Sequence, residues 1–131
     1  MTTIKSNKYT INKSQAFVFK YLNNLDNWEK LMPDRVINWE SEETHCDFTI
    51  QGTASLGMKI IETLPENLIK LCEYGKSPFA FYLKVMIHKV DNINSQVEMI
   101  LEADLNPMLK LVAVNPLKNF LNLILENLDK V

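Results

Sequence analysis

The chain has 131 residues and a formal net charge of −2, and this length allows a single domain with one core. Its hydrophobic content of 47% and charged content of 23% are ordinary for globular proteins. A net charge of −2 gives no indication of a basic surface that would bind DNA or RNA. We therefore expect no nucleic-acid partner.

Targeting and redox signals are absent from the sequence pattern. The N-terminal residues lack the apolar stretch of a signal peptide, and Lys110 and Lys118 interrupt the last apolar segment. We expect no transmembrane segment and a cytoplasmic location. Cys46 and Cys72 lie far apart and outside any Cys-x-x-Cys motif, so both are interpreted as reduced, buried thiols.

The N-terminal region predicts one strand, at residues 3–11, followed by two short helices. Ser14 can cap the first helix, which continues to about residue 23. Asp26 and Glu29 have the spacing of a capping box for the second helix. Pro33 ends that helix, because the residue before a proline avoids the helical conformation.

From Val36 the apolar residues alternate with a period of two, which predicts six antiparallel strands. We place them at residues 36–42, 46–52, 55–64, 68–74, 79–90 and 96–105. The last two alternate most cleanly and indicate one dry and one wet face. Gly57, inside its strand, predicts a bulge.

The last segment predicts a long amphipathic helix from Pro107 to Val131, with Asn106 as its N-cap. At about 100° per residue its apolar positions form one arc. This arc comprises Leu109, Ala113, Leu117, Phe120, Leu121, Ile124, Leu125, Leu128 and Val131. Pro116 predicts a kink within the helix.

These elements resemble the START-like, or helix-grip, superfamily, which includes birch-pollen-allergen-type proteins, polyketide cyclases and lipid transfer domains. The resemblance rests on residues 14–22, on the Leu-Met-Pro sequence at 31–33, on the turn at 75–79 and on the terminal helix. It covers residues 1–131 as one domain. It implies an α+β fold, in which a curved antiparallel sheet of about seven strands wraps around the C-terminal helix and two short helices follow the first strand.

The resemblance further implies that a small apolar molecule binds in a cavity between sheet and helix, without a cofactor. The ligand would belong to the lipid, polyketide, sterol or quinone class. The candidate lining is apolar throughout: Phe48, Ile50, Leu56, Met58, Phe81, Leu83, Met99, Leu101, Met108, Leu117, Phe120, Leu121 and Ile124. The alternative is that these side chains fill a solid core.

Catalysis requires a titratable group in the pocket, and the expected interior supplies almost none. We assign no catalytic residue and no metal site. A cyclase or dehydratase of the polyketide type stays the alternative, with Glu40, Asn38 and Tyr74 as its polar candidates. His45 and His88 are predicted at the surface.

A third interpretation is an accessory domain that binds a protein partner, and homo-oligomerisation is left open. On the wet face of the sheet, apolar side chains interrupt the charges: Tyr82, Met86 and Ile100. Near the expected cavity mouth, a second apolar set would form a gate or a membrane-touching tip: Trp28, Leu31 and Met32.

Overall fold

The computed structural model describes residues 1–131 and has an antiparallel sheet of eight strands with a long C-terminal helix. The strands are β1 (Thr2–Lys5), β2 (Tyr9–Ile11), β3 (Val36–Ser41), β4 (His45–Ile50), β5 (Ala54–Leu64), β6 (Leu68–Glu73), β7 (Phe81–Lys89) and β8 (Ser95–Ala103). Helix α1 (Gln15–Leu22) and a 3-10 helix (Leu25–Leu31) follow β2, and helix α2 (Pro107–Leu128) ends the chain.

The sheet order is β1, β8, β7, β6, β5, β4, β3, with β2 also paired to β8. The six strands from β3 to β8 thus form a meander, and the first strands close against the last one. A core cluster of 30 buried residues contains side chains from the sheet and from all three helices. The predicted α+β helix-grip architecture is confirmed.

The single first strand of the prediction is two strands, because a bulge separates them. Four residue steps separate Lys5 from Tyr9, against three between their partners on β8. In this gap the Ser6 N–H donates to the Met99 carbonyl at 2.9 Å, and the Met99 N–H donates to Ser6 Oγ at 2.8 Å. The buried hydroxyl therefore replaces a backbone carbonyl in the ladder.

The first helix begins as predicted, but the capping box of the second is wrong. Ser14 Oγ accepts from the Phe17 N–H at 3.1 Å. The second segment is a 3-10 helix whose N-cap is Asn24, since its side-chain oxygen accepts from the Asp26 N–H at 3.0 Å. The Asp26 carboxylate instead accepts from Ser41 Oγ at 2.6 Å, which ties the 3-10 helix to β3.

The bulge predicted at Gly57 is also misplaced. Gly57 lies in regular register opposite Asp47, and the register of β5 shifts instead between Ile60 and Glu62. A Cβ atom at Gly57 would lie 2.0 Å from the Tyr74 carbonyl oxygen. Glycine is thus required there by close approach of the backbone.

Helix α2 is capped by Asn106, whose side-chain oxygen accepts from the Leu109 N–H at 2.8 Å. Its buried side chains follow the predicted arc: Ala113, Leu117, Phe120, Leu121, Ile124, Leu125 and Leu128. Leu109 is half-buried, and Val131 is exposed beyond the end of the helix, so its place on the arc is wrong. Pro116 lies inside the continuous helix.

Hydrogen bonds fasten the second half of α2 to the N-terminal segment. Asn122 accepts from the Asn7 N–H at 2.7 Å, and Asp129 accepts from the Asn12 N–H at 2.9 Å. Asn127 donates to the last carbonyl of the 3-10 helix at 2.8 Å.

Helix α2 is long and apolar enough to cross a membrane, but the core helices of globular proteins also meet these criteria of length and composition. In this fold its apolar arc is packed in the core.

Candidate functional site

The interior between the sheet and α2 contains a small pocket lined only by hydrophobic side chains. They are Phe48, Leu56, Met58, Phe79, Phe81, Leu83, Leu101, Leu117, Phe120 and Leu121. All except Phe79 belong to the lining expected from the sequence. Phe79 is the first residue of the strand predicted at 79–90, but it lies in the turn before β7 and lines the pocket from there.

Four of the expected lining residues lie elsewhere. Met99 and Ile124 are fully buried in the core away from this pocket, and Ile50 borders a groove on the protein surface. Met108 is 78% exposed, so it cannot line the interior. It lies in the first turn of α2, before the helix packs on the sheet.

The interior pocket has a volume of only about 20 Å³. Sites for small molecules usually measure about 300 to 1,000 Å³, and about 15 Å³ is the minimum for one water. Solid packing, the alternative left open by the sequence, therefore describes this interior. A ligand would enter it only after side chains move.

A much larger groove, of about 490 Å³, lies where three chain segments meet. The segments are the connection from the 3-10 helix to β3, the turn from β4 to β5, and the second half of α2. The lining residues are Met32, Pro33, Asp34, Arg35, Ile50, Thr53, Pro116, Asn119, Phe120, Leu123 and Asn127. Of these, only Ile50 and Phe120 were predicted, because the groove depends on tertiary contacts that have no local sequence signal.

Phe120 borders both the groove and the interior pocket. Its side chain is only 8% exposed, and its ring centroid lies 6.0 Å from that of Phe48 with 23° between the planes. Phe48 stacks in turn on Trp39 at 5.3 Å. The Trp39 indole N–H is buried without a hydrogen-bond partner, so packing alone holds this aromatic stack. Phe120 is the side chain shared by the two spaces.

The apolar set at the expected mouth is not an exposed gate. Trp28 and Leu31 are fully buried, and the Trp28 indole N–H donates to the Leu22 carbonyl at 2.9 Å. Only Met32 is partly accessible, as a wall of the groove. Trp28 therefore holds α1 and the 3-10 helix together.

None of the polar candidates for catalysis faces the interior. Glu40 is exposed on the outer face of the sheet, where it lies opposite Asp47 in the register of β3 and β4. Tyr74 is exposed and packs against His45, with 4.9 Å between ring centroids. Asn38 is exposed at a bulge in β3, where its φ of +56° is left-handed. The residues proposed for the enzyme alternative are thus on the solvent side.

Glu73 is a half-buried carboxylate at the end of β6, a residue that the sequence analysis did not single out. It precedes the turn to β7, and its carboxylate accepts a hydrogen bond from the Phe81 N–H. Glu73 lies opposite Met58, whose side chain lines the pocket. Its visible role is to satisfy the first backbone N–H of β7.

The two cysteines are free thiols in different environments. Cys46 is buried, and desolvation, with the nearby Asp47 charge, raises the pKa of its thiol to about 12. Cys72 is half-buried, whereas the sequence predicts a buried thiol. Partial desolvation and, to a lesser extent, the negative charge of Glu73 also raise the pKa of the Cys72 thiol. A raised pKa keeps a thiol protonated and poorly nucleophilic. No cluster of His, Cys, Asp and Glu is arranged to hold a metal ion.

The wet face of the sheet carries the three apolar side chains singled out in the sequence, and all three are partly accessible. Tyr82 is partly exposed, and the Lys70 ammonium lies 4.8 Å from the centroid of its ring. Met86 and Ile100 are half-buried. Across the register of this face, Met86 lies opposite Leu68, and Leu68 lies opposite Leu64.

The architecture is that of the helix-grip fold, and solved structures share it over nearly the whole chain. XoxI from Bacillus cereus has a TM-score of 0.78 at 10% identity, with 99% of this chain and 94% of that chain covered. Norcoclaurine synthase from Thalictrum flavum, solved with dopamine and hydroxybenzaldehyde, has a TM-score of 0.72 at 13% identity, with 98% and 84% covered.

A third similar structure is the Aha1 dimer from Colwellia psychrerythraea, with a TM-score of 0.71 at 14% identity and with 99% and 95% of the chains covered. At such identities the similarity establishes the fold alone. No protein-family model matches the chain, and no curated protein matches it in sequence.

Proposed function

We propose that this protein is a START-like binder of a small apolar or amphiphilic molecule, held in the groove beside α2. The lipid, polyketide, sterol and quinone classes are all compatible with the proposal. The observation that carries it is the position of Phe120, which lines both a groove of about 490 Å³ and an all-hydrophobic pocket. A ligand in the groove would therefore contact the same ring that lines the apolar interior.

The dimensions and chemistry of the groove support this proposal. Its volume lies within the usual range for small-molecule sites. Ile50, Leu123 and Met32 supply apolar wall, and each methylene they bury contributes about 0.8 kcal/mol. Norcoclaurine synthase, which shares the fold, was solved with two small aromatic molecules bound. Aromatic or short acyl molecules are therefore suitable first probes.

The test is titration of the protein with phenylbutanol, a neutral apolar probe, followed by two-dimensional amide NMR. We expect saturable shifts at residues 32–35, 50–53 and 116–127. Leu123→Ser removes apolar wall and should weaken binding roughly fivefold, the equivalent of about 1 kcal/mol. Leu64→Ser is the matched control, because Leu64 is exposed on β5 and does not line the groove.

Absence of shifts at millimolar probe would contradict the proposal, as would equal affinity in the two leucine variants. The enzyme alternative has no observation in its favour, since its polar candidates face solvent.

A second candidate function is self-association through the start of α2. Met108, Leu111 and Val112 are 78%, 86% and 65% exposed, which is unusual for three large apolar residues in adjacent turns. A similar structure is a dimer. Sedimentation equilibrium over a range of concentrations tests the idea, with Leu111→Glu expected to abolish a dimer. A monomer at every concentration would exclude it.

A further inference from the structure

Arg35 places a positive charge on the wall of the groove. It lies in the connection between the 3-10 helix and β3, and it lines the groove together with the apolar side chains of Phe120 and Leu123. The groove also has polar side chains, Asp34 among them, but its apolar wall beside one cation is suited to an amphiphile with an anionic end.

The guanidinium is held in place by the turn between β4 and β5. Arg35 Nη2 donates to the Gln51 carbonyl at 2.8 Å, and the Gln51 N–H donates to the Arg35 carbonyl at 2.9 Å. Gly52 has a φ of +77°, and a Cβ atom there would lie 3.0 Å from Arg35 Nη2. The glycine therefore leaves room for the guanidinium to lie directly over the turn.

Arg35 makes no salt bridge. The ion pairs of the protein are His45 with Glu42 and Lys84 with Glu102. Asp34 also borders the groove, but it does not approach the guanidinium within 4.0 Å. A guanidinium has five N–H donors, and one of them is used by Gln51, so several stay free for a ligand.

We propose that Arg35 binds the carboxylate of a small amphiphilic acid whose apolar body lies against Phe120 and Leu123. This inference rests on the proposed function, since it names the ligand class of the same groove. The planar fork of an arginine can hold both oxygens of a carboxylate, and its fixed position reduces the entropy lost on binding. The ligand class is therefore a monocarboxylic acid with an aromatic or short acyl body.

The experiment compares three probes that share one apolar body: phenylbutyrate, phenylbutanol and phenylbutylamine. Binding of each is measured by amide NMR to the wild-type chain, to Arg35→Gln and to Lys76→Gln. Lys76 is the matched control because it is exposed and does not line the groove. Arg35→Lys adds a variant that keeps the charge and loses the fork.

In the wild-type chain we expect phenylbutyrate to bind about tenfold more tightly than phenylbutanol, as for one charge-assisted contact. Arg35→Gln should remove this preference, Arg35→Lys should retain part of it, and Lys76→Gln should leave it unchanged. Tighter binding of phenylbutylamine would overturn the inference and point to Asp34.

The inference also fails, while the proposed function stands, if phenylbutanol binds but the preference for phenylbutyrate is the same in Arg35→Gln. If phenylbutanol does not bind at all, the proposed function itself fails. Amide spectra of the variants without probe establish that each is folded.

Discussion

Replacing Phe120 by alanine should join the groove to the interior pocket at a moderate cost in stability. Truncating a buried phenylalanine costs about 3 to 5 kcal/mol. Phe120 borders an open groove, so solvent can reach the vacated space, and we expect the lower end, about 3 kcal/mol. Domains of this kind have a total stability of about 5 to 15 kcal/mol, so the variant should remain folded.

Urea unfolding monitored by tryptophan fluorescence measures the loss of stability. Trp39 is a sensitive reporter because it stacks on Phe48, the neighbour of Phe120. Titration with phenylbutanol measures the gain in access. The probe should bind roughly tenfold more tightly to Phe120→Ala, because about two more methylene groups are buried once the pocket is open.

Leu121→Ala is the matched control. Leu121 lines the interior pocket but not the groove, so its truncation enlarges a space that Phe120 still closes. It should lose about 2 to 5 kcal/mol of stability with no gain in affinity for the probe. Equal gains in both variants, or weaker binding to Phe120→Ala, would refute the idea that the Phe120 ring is the barrier.

Three further predictions concern the fold. Ile124→Asp places a charge at a fully buried position and should unfold the domain. Leu123→Asp changes a partly exposed position, so this variant should have a melting temperature near that of the wild type. Similar melting temperatures for the two variants would show that the buried arc is misassigned. Gly57→Ala should lower the free energy of unfolding more than Gly75→Ala, because only at Gly57 would the added Cβ collide with backbone. At Gly75 the position is uncrowded and the cost is about 1 kcal/mol for the left-handed backbone. Urea titrations that give the reverse order would contradict the steric argument. Cys46 should resist alkylation near neutral pH until the chain unfolds, and rapid labelling of the folded protein would disprove this. Because the pKa of its thiol is raised in the folded state, the stability linked to the protonated thiol is complete below about pH 9 and is lost as the pH rises toward 12.

The features that sequence reasoning predicts well are those with a local and periodic cause. The cap at Asn106 and the buried arc of α2 follow from side-chain spacing along one helix. The alternation in β7 and β8 likewise follows from the pleat, and every inward residue of β8 is buried.

The features that it misses depend on which distant segments meet. Asp26 has capping spacing, yet Asn24 caps the helix, and the Asp26 carboxylate accepts a hydrogen bond from Ser41 on β3. Gly57 inside a strand predicts a bulge, although close approach of the Tyr74 carbonyl, just after β6, is what requires the glycine. The groove combines three segments, and no local pattern links Arg35 to the second half of α2. The residues of the proposed site could therefore not be assigned from the sequence.

The closure of the sheet by its first strands also constrains how the chain folds. Thr2 pairs with Ala103 and Ile11 pairs with Ser95, so β1 and β2 have no neighbour on the sheet until β8 is available. Such distant contacts carry a high entropic cost of loop closure, and folding dominated by them is slow. During synthesis from the N-terminus, the hydrophobic residues of β1 and β2 stay unpaired while most of the chain is made. Strand edges that stay unpaired for this interval are open to pairing with other chains, so completion of β8 also removes a route to aggregation.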